Sequence, residues 1–97
     1  ILSPTSKALL MKIMTETPTG AQRLKAGFPA GSVFAHKTGA GRTDQGVNSA
    51  TNDIGVVTLP DGRRYAVASF LKGATLDEAG REAIHADVAR AITRGVR

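Results

Sequence analysis

The sequence predicts an α/β (α+β) domain: an antiparallel three-stranded sheet portion with flanking helices. Three observations carry that expectation. Apolar residues recur at helical spacing after Ser3-Pro4, two apolar runs are joined by Pro60-Asp61-Gly62-Arg63, and a second helical period follows from Ala79 to Ile92.

The first helix is expected over residues 4–16. Ser3 is a good cap, Pro4 suits a first helical position, and Leu9, Leu10, Ile13 and Met14 share a face until Thr17-Pro18-Thr19-Gly20 ends the run. A short helical turn from Ala21 to Ala26 ends at Gly27, and Phe28-Pro29-Ala30-Gly31 makes a tight approach to a strand near 32–38. Gly39 to Asn52 shows neither period and reads as a loop. Strands near 54–59 and 64–71 form a hairpin about the Pro-Asp-Gly turn, and their nearly continuous apolar character predicts a sheet covered on both faces. The last element is an amphipathic helix over 76–94, with Thr75 and Glu78 spaced as a capping box and Ala79, Ala83, Ile84, Val88, Ala91 and Ile92 on its apolar face. Three strands alone leave sheet edges that other sequence would have to cover.

Ninety-seven residues suffice for one core and not two. The net charge of +5 suits an anionic partner, but the basic residues are dispersed. With one Tyr, three Phe and no Trp there is little for base stacking, and Arg90, Arg94 and Arg97 fit the end of a helix, so nucleic acid is not the expected partner. No apolar stretch approaches a membrane span, and no signal peptide is recognisable at Ile1-Leu2-Ser3-Pro4. The absence of cysteine excludes disulfides and thiolate metal sites. His36 and His85 lack partners at ligand spacing and are expected to bond to neighbouring backbone and to pack at a helix boundary, respectively.

The chemistry concentrates at Lys37-Thr38-Gly39, at the end of the strand-like run Val33-Phe34-Ala35-His36. A cation, a hydroxyl and an open backbone side by side make an anion clamp, since Gly39 lets a ligand lie against the chain. Two other motifs fail. Gly31 through Thr38 misses a P-loop because His36 stands where glycine is needed and the interval is strand-forming. Ser69-Phe70-Leu71-Lys72 matches Ser-x-x-Lys but lies in a strand, where residues three apart face opposite ways.

The order of triplet, glycine-rich segment, hairpin and terminal helix resembles the carboxyl-terminal third of class A serine β-lactamases. The likeness runs through Leu2-Ser3-Pro4, Arg23-Leu24-Lys25-Ala26-Gly27-Phe28-Pro29-Ala30-Gly31, His36-Lys37-Thr38-Gly39, Thr51-Asn52-Asp53-Ile54-Gly55 and Leu59-Pro60-Asp61-Gly62, with features of the extended-spectrum branch. Lys-Thr-Gly is a motif of these enzymes and of penicillin-binding proteins. The resemblance implies residues 1–97 as an incomplete carboxyl-terminal portion of the serine β-lactamase/penicillin-binding fold. It also implies a β-lactam substrate whose carboxylate is held by Lys37 and Thr38 and which lies against the backbone at Gly39, and a backbone oxyanion donor at Ala40. Where many members carry an arginine this chain has Asn52; Arg23 matches an alternative upstream arginine and is the expected supplementary anchor. Nucleophile and general base are expected from an amino-terminal part absent here, possibly a separate chain, so this chain alone should be inactive. No cofactor or metal is implied, and the location implied is periplasmic or secreted. The alternatives are part of a penicillin-binding D,D-peptidase, or a basic binding module without catalysis.

Overall fold

A computed structural model describes residues 1–96; Arg97, placed above with the helix-end cations, lies outside the described residues. In chain order the elements are α1 (Pro4–Glu16), α2 (Leu24–Gly27), β1 (Val33–Ala40), β2 (Thr43–Asp44), β3 (Val47–Asn48), β4 (Thr51–Thr58), β5 (Arg64–Leu71) and α3 (Glu78–Gly95). The main sheet is antiparallel in the order β1-β4-β5.

The Ser3 hydroxyl accepts from the Ser6 amide at 3.1 Å, as expected of that cap. At α3 the cap is Asp77, which accepts from the Gly80 amide, so the helix begins two residues later than the Thr75–Glu78 spacing implied. Asp77 competes successfully because its short carboxylate reaches an amide three residues on. The strand near 32–38 runs on to Ala40, the one near 54–59 starts at Thr51, and the expected loop between them folds into the small hairpin β2–β3. Its turn places Gln45 at φ 49° and Gly46 at φ 78°. The Pro60-Asp61-Gly62-Arg63 turn is present: Gly62 adopts φ 89°, and Leu59 and Arg63 close the loop through a backbone hydrogen bond of 2.8 Å. The Arg63 amide and guanidinium hold the Asp61 carboxyl below its ordinary range.

The core lies on one face of the sheet. Leu24 and Phe28 from α2, Phe34 from β1, Val57 and Leu59 around the end of β4, and Ala89 of α3 are buried together. The expectation of cover on both faces is not met among the described residues. Strand alternation sends Ile54 and Phe70 to the other face, where they are 43% and 70% exposed. α1 lies against β1, but none of its residues is buried. The face of α3 departs from expectation in part: Ile84, Val88 and Ile92 are half-buried, with Val88 against the core, but the buried residues are His85, Ala86 and Ala89, and Ala79, Ala83 and Ala91 are exposed. The small side chains face α2 because two helices pack closely there. A Cβ on Gly27 would fall 1.9 Å from the Ala86 carbonyl oxygen and 2.8 Å from the Ala89 side chain.

Gly27→Ala should therefore force α2 from α3 and cost about 1–3 kcal/mol. Chemical denaturation checks this, and an unchanged midpoint would show that the contact relaxes freely.

Candidate active site

The Lys37-Thr38-Gly39 triplet occupies the last half of β1, an edge strand. The Gly41 amide donates to the Ala50 carbonyl at 2.8 Å, making that pair hydrogen-bonded. Antiparallel pairs alternate, so the adjoining Ala40–Thr51 pair, and Thr38–Asp53 beyond it, are non-hydrogen-bonded. The Ala40 N–H and the Thr38 carbonyl consequently point away from β4, along the outer edge of β1. The Lys37 ammonium reaches the same edge, where Nζ donates to the Thr38 carbonyl oxygen at 2.7 Å. Lys37 and Ala40 are exposed, while Thr38 and Gly39 are half-buried. A cleft of about 400 Å³ opens beside them, lined by Ile13, Met14, Glu16, Thr17, Pro18, His36 and Lys37.

Arg23 approaches the end of β1 from the other side of the sheet. It is 7% exposed, and its Nη1 donates to the carbonyl oxygens of Gly39 at 3.1 Å and Asn52 at 2.7 Å. Its Nε donates to Glu82 of α3 at 3.3 Å. This guanidinium is built into the sheet end. Lys37 and Arg23 thus bracket one strand terminus from opposite faces.

Between them lies a buried polar pair. Asp53 of β4 and His36 of β1 are 0% and 1% exposed, and His36 Nδ1 stands 2.8 Å from Asp53 Oδ1. The other carboxylate oxygen accepts from the Leu24 amide at 3.2 Å. His36 therefore bonds to a side chain instead of the expected backbone, and its ring stacks on Phe34 with centroids 4.6 Å apart. Gly55, directly opposite His36 in the register, lets the two strands approach: a Cβ there would strike the Ala35 carbonyl oxygen and lie 2.8 Å from the His36 Cα and Cβ. The Nε2 of His36 is buried without a hydrogen-bond partner. Gly20, at φ 72°, closes the same region, and a Cβ on it would fall 2.3 Å from the Thr38 methyl.

His85 sits in the middle of the helix–sheet contact instead of at its boundary. Its Nε2 donates to the Thr51 carbonyl at 2.7 Å, which leaves Nδ1 to accept from the Ser69 hydroxyl at 2.7 Å. Ser69 is buried in that bond while Lys72 is exposed, so the Ser-x-x-Lys match forms no reactive pair, as alternation required. Residues 33–38 form a strand, which likewise removes the P-loop alternative. Among the described residues no group of three or more His, Cys, Asp or Glu could hold a metal ion.

The β2–β3 hairpin follows Ala40 directly and is fastened by Asn48, which is 3% exposed. Asn48 Nδ2 donates to Gly41 O and Thr43 Oγ1, its Oδ1 accepts from Thr51 Oγ1, and its backbone exchanges two hydrogen bonds with Ala74. Neither Asn48 nor Glu82 stands out in the sequence. Asp53 stands just before the apolar run that begins at Ile54, and its burial becomes visible only once the strand is seen to start at Thr51.

This arrangement matches part of the class A β-lactamase fold. It superposes on a β-lactamase from Chitinophaga pinensis with a TM-score of 0.92 and 44% identity, over 99% of this chain and 36% of that one. TLA-3 extended-spectrum β-lactamase matches with a TM-score of 0.94 and 39% identity, over 99% of this chain and 35% of that one. Extended-spectrum β-lactamase PER-1 of Pseudomonas aeruginosa is 52% identical over 89 residues, which are 92% of this chain and 29% of the relative. β-Lactamase VEB-1 of the same species is 39% identical over 90 residues, or 93% of this chain and 30% of the relative. The profile of the β-lactamase enzyme family matches residues 1–96, and the chain belongs to that family. It spans about a third or less of the length of these relatives.

Asn48→Ala should cost about 2–3 kcal/mol, because the Thr51 hydroxyl and the Gly41 carbonyl lose buried partners. Faster amide exchange at Gly41 and Ser49 would locate the loss in the hairpin; uniform acceleration would place it elsewhere.

Proposed function

We propose that this chain is the carboxyl-terminal portion of a class A serine β-lactamase, supplying the substrate-carboxylate clamp and one oxyanion donor. The observation that carries the reading is the outer edge of β1. There the Lys37 ammonium and the Ala40 N–H point the same way, with buried Arg23 braced behind Gly39. Family membership supplies the substrate class.

In this reading the β-lactam lies along β1 with its carboxylate between Lys37 and Thr38. Lys37 Nζ leaves the Thr38 carbonyl to pair with the anion, an ion pair replacing a bond from a cation to a neutral acceptor. Gly39 removes side-chain bulk where the ligand meets the strand. Arg23, its charge partly offset by Glu82, braces the strand end from beneath through the Gly39 and Asn52 carbonyls. A serine from the remainder of the protein attacks the lactam carbonyl. As the carbonyl oxygen gains charge, the Ala40 N–H donates to it; such a donor contributes about 3 kcal/mol to lowering the barrier. The C–N bond breaks, and water then hydrolyses the acyl-enzyme.

Nucleophile and general base come from the remainder of the protein, either continuous with this chain or separate. No helix among the described residues is long and apolar enough to cross a membrane. The setting proposed is periplasmic or secreted, as for class A enzymes generally.

The isolated 97-residue chain should not hydrolyse a chromogenic cephalosporin, and activity should appear when it is joined to the remainder. Turnover by the chain alone at whole-enzyme rates would overturn the division of roles. In the complete protein Lys37→Ala should lower kcat/KM about a hundredfold. Its melting temperature should stay within about 2 °C of the parent, since an exposed side chain contributes little to stability. A large fall in melting temperature would make Lys37 structural. A stable penicilloyl adduct on the complete protein would point to a D,D-peptidase instead.

A further inference from the structure

We propose that Asp53 is a positioning residue for the carboxylate clamp, holding β1 and the segment entering α2 in fixed relation so that Lys37-Thr38 and Arg23 address the same anion. The inference rests on the clamp reading above.

Its two oxygens bind different elements, Oδ1 to His36 of β1 and Oδ2 to the Leu24 amide of α2. His36 immediately precedes Lys37, and Leu24 immediately follows Arg23. Thr38 lies directly opposite Asp53 in a non-hydrogen-bonded pair, where side chains approach most closely. Each clamp residue is thus one covalent or one register step from this carboxylate. Arg23 closes a ring by donating to the carbonyls of Gly39 and Asn52, the latter being the residue before Asp53. A closed ring of bonds keeps α2 from sliding along β1 independently. Gly20 seals the outside, since its backbone leaves no room beyond the Thr38 methyl and lies against the His36 ring.

A carboxylate completely withdrawn from water is weak evidence of a stability role, because apolar residues of similar volume often serve as well. The two roles separate experimentally by substrate. The complete enzyme, Asp53→Asn and a pair at the partner position, His36→Asn and His36→Leu, are assayed on a chromogenic cephalosporin and on its carboxylate methyl ester. Asn at 53 keeps the shape but presents an amide where the Leu24 N–H or His36 needs an acceptor. Asn at 36 keeps a donor near the Nδ1 position, whereas Leu removes it.

Asp53→Asn should raise KM for the free acid about ten- to a hundredfold while kcat/KM for the ester changes less than about threefold. His36→Asn should retain more of the acid preference than His36→Leu. Equal losses on acid and ester, or no loss on either, would overturn the proposal, as would failure of both Asp53→Asn and His36→Leu to fold. A parent enzyme that treats acid and ester alike would instead remove the clamp reading itself.

Discussion

A carboxylate without water must find its hydrogen bonds inside the protein, and the placement of Asp53 in the middle strand makes the rest of this architecture answer that demand. One oxygen draws a ring across from β1; the other draws down the amide that opens α2. Gly55 is bare because a side chain there would strike the β1 backbone at Ala35 and His36, and Phe34 offers its face to the His36 ring. Leu24, which donates the amide, is itself wholly buried in the hydrophobic core. Polar and apolar cores therefore meet at one residue, and neither is arranged independently.

The same logic extends to α3. His85 spans Ser69 and Thr51, and Arg81 donates to the Thr51 hydroxyl, while Glu82 receives Arg23. Successive turns of one helix thus fasten the sheet end that carries the Lys-Thr-Gly triplet. Close helix approach through Gly27 and Ala86 permits this, because bulkier residues would lift α3 away from the strands.

The main elements were legible in the sequence because their signals are local: a Ser-Pro cap, a Pro-Asp-Gly turn and two apolar runs announce themselves within a few residues. The triplet at a strand end was legible for the same reason, and its family resemblance was specific. Three features were not. The β2–β3 hairpin is held by Asn48 through partners on either side of it, which no local pattern encodes. The buried side of α3 was only partly legible because alanines surround the helix, and only the position of α2 decides which of them are covered. Arg23 was singled out by resemblance alone, and its burial was not legible, since its partners lie 16, 29 and 59 residues away.

The uncovered side of the sheet bears on how this polypeptide behaves in solution. Ile54 and Phe70 stand open beside β5, whose outer edge has no strand against it among the described residues, and Leu9 and Ile13 are likewise bare on α1. Unpaired backbone next to greasy side chains is a template for further strands. Produced separately at high concentration, such a chain is open to edge-to-edge stacking with copies of itself.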